Sequence, residues 1–179
     1  MIQLHDRTFE IFLTEQQLHS RVSAIGSELN SMYAGKDVVF LAVLNGAFMF
    51  ASDLMKQLNF PCEISFVKVS SYSGTSSRGQ VDELIGLTKD ISGKEVVVLE
   101  DIVDSGLTMD KILQLLEAHG ASSVRLCTLL FKPDAFKGNR RPDIVGFDIP
   151  NLFVVGYGLD YDEKGRNLNA IYQLKELNS

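Results

Sequence analysis

One contiguous run holds most of the residue types that could do chemistry: Val96-Val97-Val98-Leu99-Glu100-Asp101-Ile102-Val103-Asp104-Ser105-Gly106-Leu107-Thr108. An apolar stretch leads into two adjacent acids, two apolar residues and a third acid follow, and Ser-Gly-Leu-Thr opens an amphipathic segment. In open α/β sheets, ligands sit beyond the carboxyl ends of the strands. A short Ser/Gly/Thr loop entering a helix offers unpaired N–H groups, two hydroxyls and the positive end of the helix dipole, which together seat one phosphate dianion. Glu100 and Asp101 would repel that phosphate if they faced it, so they fit better against sugar hydroxyls or a metal ion. Asp104 beside the loop could act as general base or as hydrogen-bond acceptor. Phosphate, ribose and metal sites in a row make a template for a ribose 5-phosphate. The plainer alternative is a helix start with Asp104 or Ser105 as N-cap and two solvated acids. The sequence has neither a Gly-x-x-x-x-Gly-Lys-Ser/Thr loop nor a Gly-x-Gly-x-x-Gly turn, so a P-loop ATPase or a dinucleotide dehydrogenase loses its main support.

The elements that must position this run are legible from periodicity. Thr14-Glu15-Gln16-Gln17 reads as a capping box. Leu18, Val22, Ile25, Leu29 and Met32 follow at helical spacing, and Gly35 stops the helix. The unbroken apolar run Val38 to Leu44 predicts a strand buried on both faces, and Ala47 to Leu58 a helix. Cys62 to Tyr72 alternates apolar and polar residues, as a strand does, and Val96 to Leu99 is another two-sided strand. Leu107 to His119 predicts a helix closed by Gly120; Val124 to Phe131 and Phe153 to Val155 predict strands. Such alternation implies an α/β fold with a mainly parallel sheet flanked by helices. Two irregular stretches interrupt it. Ser73 to Gln80 is either a lid or an ordinary solvent loop, and Lys132 to Pro142 is basic and punctuated by Pro and Gly.

A chain of 179 residues suffices for one domain with its own core. The formal net charge of −6 argues against diffuse nucleic-acid binding, because phosphate backbones select a basic face. An anionic small ligand would need backbone N–H groups, a few cations and a divalent metal. No apolar run approaches the ~20 residues that span a bilayer, and no secretory leader is recognisable, so a cytoplasmic protein without membrane contact is expected. Cys62 and Cys127 read as reduced, buried thiols, and the spacing of His5, His19 and His119 with them does not suggest zinc.

The run from Val96 to Thr108 resembles the phosphoribosyl pyrophosphate signature of type I phosphoribosyltransferases. Other segments resemble the hypoxanthine–guanine branch of that family: Leu41 to Phe50 its pyrophosphate loop, Ser71-Tyr72 with the Ser/Gly-rich stretch after it the mobile catalytic loop, and Leu129-Leu130-Phe131-Lys132 the strand carrying a purine-reading lysine. Phe153 to Tyr161 and Arg166-Asn167-Leu168 resemble its C-terminal hood. The matches follow the family's order from about residue 38 to 172. The resemblance implies a twisted sheet core at about 36–150 and a small hood built from the N-terminal segment and about 151–179, within one domain spanning 1–179. It implies that Glu100 and Asp101 hold the ribose hydroxyls, partly through magnesium, and that Asp104 faces purine N7. Ser105, Gly106, Leu107 and Thr108 would wrap the 5-phosphate, and Asn45, Gly46 and Arg166 would meet pyrophosphate. Lys132 would donate to the 6-oxygen of the purine, Phe153 would stack on the base, and the Val154 backbone would read its edge. Asp160 would anchor a second magnesium near the purine, and Ser71 and Tyr72 would belong to the catalytic loop. The implied substrates are phosphoribosyl pyrophosphate and a purine base, with Mg2+ as cofactor and a homodimer or homotetramer as assembly. The branch often has Lys-Gly where this chain has Asn45-Gly46, so a backbone role survives there while a positive side chain is lost.

Each role has a plainer counterpart: Phe153 as core, Lys132 as a solvated strand end, Arg166 in a surface ion pair, Tyr72 as a loop anchor. Asp160 is harder to set aside, because a carboxylate ending an apolar, Gly-rich run needs a partner or a metal. Lysine donates to a 6-oxo group but cannot accept from the 6-amino group of adenine, so hypoxanthine and guanine are favoured. The competing functions are a xanthine- or guanine-preferring relative, a nucleotide-sensing RNA-binding regulator without catalysis, and a nucleotide-binding protein with no transfer chemistry.

Overall fold

The computed structural model describes residues 1–71 and 81–175, with residues 69–71 and 81–85 described as backbone alone. In chain order the elements are β1 (Ile2–Leu4), β2 (Arg7–Leu13), α1 (Glu15–Tyr33), β3 (Val38–Leu44), α2 (Phe48–Met55), β4 (Glu63–Ser71), β5 (Val81–Ile85), β6 (Glu95–Val103), α3 (Leu107–Ala118), β7 (Ser123–Phe131), β8 (Ile144–Asp148), β9 (Val154–Val155) and β10 (Ile171–Leu174). They form a six-stranded sheet in the order β5-β4-β3-β6-β7-β8 and a four-stranded sheet in the order β1-β2-β10-β9. The larger sheet is parallel except for β5, which pairs antiparallel with β4. The smaller one is antiparallel throughout.

The continuous apolar strands do what their composition demands. Alternate residues of a strand face opposite sides. Phe40 and Ala42 with Val97 and Leu99 therefore pack under α1 and α2, while Val39, Leu41, Val96 and Val98 pack under α3. Burying one such side chain contributes about 1.5–3 kcal/mol, so two-sided burial makes β3 and β6 the rigid centre of the molecule. Helix α1 starts at the anticipated capping box: the Thr14 hydroxyl accepts from the Gln17 amide at 3.3 Å, and the Gln17 side chain accepts from the Thr14 amide at 2.9 Å. It ends at Tyr33, just ahead of Gly35 in the left-handed region.

The structure corrects several boundaries. The helix after β3 covers only Phe48–Met55. Strand β6 runs on through Val103, because Ile102 and Val103 pair with Leu130 and Phe131 of β7. Glu100 and Asp101 thus lie inside a strand rather than past its end. Cys62 precedes β4 and is only partly buried, whereas Cys127 is buried; both are free thiols. Strands β1, β2, β5, β8 and β10 went unread: they are short or polar, or their partners are remote in sequence. No helix among the described residues is long and apolar enough to cross a membrane.

Candidate active site

The carboxyl ends of β3 and β6 lie side by side. From β3 the chain continues outward to β4; from β6 it continues the other way to β7. This reversal of strand order opens a crevice, the usual place for a ligand in an open α/β sheet. One side of the crevice is the Asn45-Gly46 turn after β3. The other is the Asp104–Gly106 turn between β6 and α3.

Gly106 is the N-cap of α3, left-handed at φ 78°, and no side chain caps the helix. This removes the alternative in which Asp104 or Ser105 serves as N-cap. The first amides of α3 thus have no side-chain acceptor, as an anion seat requires. A cavity of about 270 Å3 opens here, lined by Glu100, Asp104, Ser105, Gly106 and Thr108 above a floor of Val43 and Met109. The 132–142 segment braces the turn from outside. A methyl group on Gly106 would overlap the Phe136 ring, and the Lys137 amide donates to the Ser105 carbonyl at 2.9 Å. The Asp110 carboxylate, in the first turn of α3, accepts from the Asn139 amide at 2.7 Å. Leu107, next in the turn, is exposed.

Glu100 and Asp101 are not solvated acids: they are 9% and 8% exposed. Burial, reinforced by the neighbouring Asp101 charge, raises the Glu100 carboxyl well above its ordinary range. Burial also raises Asp101, against the pull of hydrogen bonds and of the Arg166 cation. One Asp101 oxygen accepts from the Ile102 amide at 2.8 Å, and the other sits where a Gly46 side chain would have to go. The Glu100 Oε2 atom is buried without a hydrogen-bond partner. An orphaned carboxylate oxygen beside a second carboxylate suits a hard cation such as magnesium. Among the described residues no group of three or more His, Cys, Asp or Glu side chains gathers into a metal site.

Lys132, 7% exposed, is no solvated strand end. Its Nζ donates to Asp104 at 3.0 Å and to the Asn151 side-chain oxygen at 3.4 Å. The two side chains expected on the purine are paired with each other. Phe153 is not core: it is 48% exposed, with Phe9 at 6.3 Å and the edge of Tyr161 at 5.8 Å between ring centres. Val154 is buried and pairs with Gln173 of β10. Asp160 has both oxygens engaged, one by Arg166 at 2.7 Å and one by the Glu163 amide at 2.9 Å. A half-buried ion pair thus answers the need for a partner at Asp160, and Arg166 also donates to the Gly158 carbonyl at 2.9 Å. Asn45 is exposed and Gly46 buried at the opposite turn. Of the expected catalytic loop only the Ser71 backbone, at the end of β4, is described; Tyr72 and residues 73–80 lie outside the described residues.

Sequence reasoning passed over Phe136, Asn151 and Gly158. A methyl group on Gly158 would overlap the Gly46 carbonyl, so the two turns touch backbone to backbone. The Pro/Gly punctuation of 132–142 was the one visible signal for the brace, and nothing local marked the others.

An uncapped helix start at a strand-order reversal, buried acids beside it and an exposed aromatic ring, Phe153, just before β9 are features of the phosphoribosyltransferase class of α/β proteins. The family model for the phosphoribosyl transferase domain matches residues 10–162, and the chain belongs to that family. The hypoxanthine-guanine phosphoribosyltransferase of Mycobacterium tuberculosis (strain ATCC 25618 / H37Rv) is 44% identical over 168 residues, covering 90% of this chain and 83% of that one. The Bacillus subtilis (strain 168) protein of the same name is 39% identical over 167 residues and 93% of each chain. A crystal structure of a hypoxanthine phosphoribosyltransferase from Staphylococcus aureus superposes with a TM-score of 0.87 at 41% identity, covering 93% of this chain and 91% of that one.

Proposed function

We propose that this protein is a purine-salvage enzyme. It transfers the 5-phosphoribosyl group from phosphoribosyl pyrophosphate to N9 of hypoxanthine, and of guanine, giving IMP or GMP and pyrophosphate. Membership of the family and the relatives' names support the reaction. The observation that carries the choice of base is the Lys132–Asp104 pair at the mouth of the phosphate turn. Side by side they present one donor and one acceptor, which fit the 6-oxygen and the N7 proton of a 6-oxopurine. Adenine offers lysine a donor where an acceptor is needed.

The amides of residues 105–108 and the hydroxyls of Ser105 and Thr108 hold the 5-phosphate. Glu100 and Asp101 hold the ribose hydroxyls and are the residues that would hold magnesium, which when bound neutralises the leaving pyrophosphate. Asn45-Gly46 and Arg166 receive the pyrophosphate. Asp160 acts first as the residue that orients Arg166, and a metal there would have to share its oxygens. Phe153 stacks on the base, and the Val154 backbone reads its edge. As N9 displaces pyrophosphate at C1, positive charge grows on the sugar, as in glycoside hydrolysis. Asp104 accepts the N7 proton or its hydrogen bond as the imidazole ring loses electron density to the new bond. Such a sugar cation does not survive water, so the site must close, and Ser71 with Tyr72 and residues 73–80 is the segment proposed to close it. The one-domain division into core and hood, the cytoplasmic location and a homodimeric or homotetrameric assembly belong to the same reading.

The test is an initial-rate assay with hypoxanthine, guanine, xanthine and adenine, each with and without magnesium. Turnover of hypoxanthine and guanine that needs magnesium, with adenine inert, is the expected pattern. Turnover of adenine, or release of pyrophosphate without any purine, would overturn it.

A further inference from the structure

We propose that Tyr157, acting through Asp53, is a positioning residue for the Asn45-Gly46 turn; the role rests on the reading that this turn receives pyrophosphate. Tyr157 belongs to none of the groups assigned above, yet its backbone is held in an uncommon state. It is left-handed at φ 49°, between Gly156 at 99° and Gly158 at 101°. A bulky residue stays in that region only where its surroundings fix it. The Tyr157 amide donates to the Leu168 carbonyl at 2.8 Å, and the Gly158 amide donates to the Arg166 carbonyl at 2.9 Å. The side chain then crosses from this turn to α2: the buried Tyr157 hydroxyl donates to Asp53 Oδ2 at 2.7 Å.

The direction of that crossing matters. Helix α2 begins two residues after Gly46, so Asp53 and the pyrophosphate turn belong to one short, stiff unit. Gly158, next to Tyr157, lies so close to the Gly46 carbonyl that a side chain on Gly158 would overlap it. On its other side Gly46 meets the Asp101 carboxylate. The turn is thus gripped between β6 and the 156–158 turn, and the Tyr157–Asp53 bond ties the outer jaw to the helix that follows the turn. Burial, reinforced by Asp53, pushes the phenol pKa up, which keeps Tyr157 a neutral donor. Arg166 and Asp160 hang from the same 156–158 turn, so any loosening falls on the pyrophosphate side of the site. Lys132 and Asn151, on the purine side, take no part in these bonds.

The experiment is steady-state kinetics on Tyr157→Phe, Asp53→Ala, Asp53→Asn and the double variant Tyr157→Phe/Asp53→Ala, with thermal melts alongside. Couplings of this indirect kind change affinities by roughly five- to tenfold. Tyr157→Phe and Asp53→Ala should each raise KM for phosphoribosyl pyrophosphate, and the inhibition constant of pyrophosphate, by about that factor. KM for hypoxanthine should hold. Asp53→Asn, whose side-chain oxygen still accepts from the phenol, should remain close to wild type, and the double variant should be no worse than either single one. If Tyr157→Phe does not fold, Asp53→Ala carries the same test from the less buried side of the pair. Unchanged phosphoribosyl pyrophosphate constants in the folded variants would overturn the inference, as would equal rises for both substrates that merely follow lost stability. A wild-type chain with no transferase activity would instead bring down the function proposed above, and this role with it.

Discussion

Glu100 keeps a buried carboxylate oxygen without a partner, which costs stability in the free protein; in the proposed function that oxygen gains its partner when ligand arrives. Replacing Glu100 with Gln should therefore raise the melting temperature of the ligand-free protein by a few degrees, equivalent to about 1–2 kcal/mol, while activity falls sharply. A drop in melting temperature would mean the carboxylate is already stabilised. Asp104 invites the complementary experiment. Asp104→Asn keeps the shape of the side chain but gives up its charge, so kcat should fall by roughly 10²–10⁴ while the fold survives. Unchanged turnover would remove Asp104 from the mechanism. At this scale the sequence was readable where the chemistry is contiguous: acids, small residues and helix start succeed one another between 96 and 108. The Lys132–Asp104 and Asp160–Arg166 pairs were not readable, because nothing local to a lysine or an aspartate names its partner.

Among the elements, the turn into α3 bears most directly on the proposed function, and Gly106 fixes its shape. The left-handed backbone and the Phe136 ring both exclude a side chain there. Gly106→Ala should cost about 1–3 kcal/mol of stability and weaken phosphate binding, so denaturant unfolding and KM for phosphoribosyl pyrophosphate should move together. A neutral substitution would mean the turn adapts. Strand β3 and helix α1 could be read because two-sided burial and a capping box are local signals. The end of β6 could not: adjacent acids look like a strand terminus unless β7 is known to continue pairing beside them. Strands β2 and β10 were hidden for a related reason, since Phe9 pairs with Leu174 at the far end of the chain.

At the scale of the whole molecule, the proposed function has two sheets share one nucleotide. The six-stranded sheet offers the turn into α3, and the four-stranded sheet leads to Phe153 and the 156–158 turn. Their junction includes Asp53. Burial pulls its carboxyl pKa up, but hydrogen bonds from Lys56 and Tyr157 outweigh this and leave it below the ordinary 3.8. A depressed carboxyl contributes stability that is complete above the unfolded value and is lost as pH falls through the folded one. The melting temperature should therefore decline below about pH 4, and Asp53→Asn should make that decline shallower. An acid limb identical in the two proteins would deny Asp53 this role.

The most direct test is a crystal structure with IMP bound. The phosphate should lie within hydrogen-bonding distance of the amides of residues 106–108. The ribose should face Glu100 and Asp101, and the base should lie on Phe153 with its 6-oxygen at Lys132. A nucleotide bound elsewhere, with those amides taken up by the protein itself, would contradict the account.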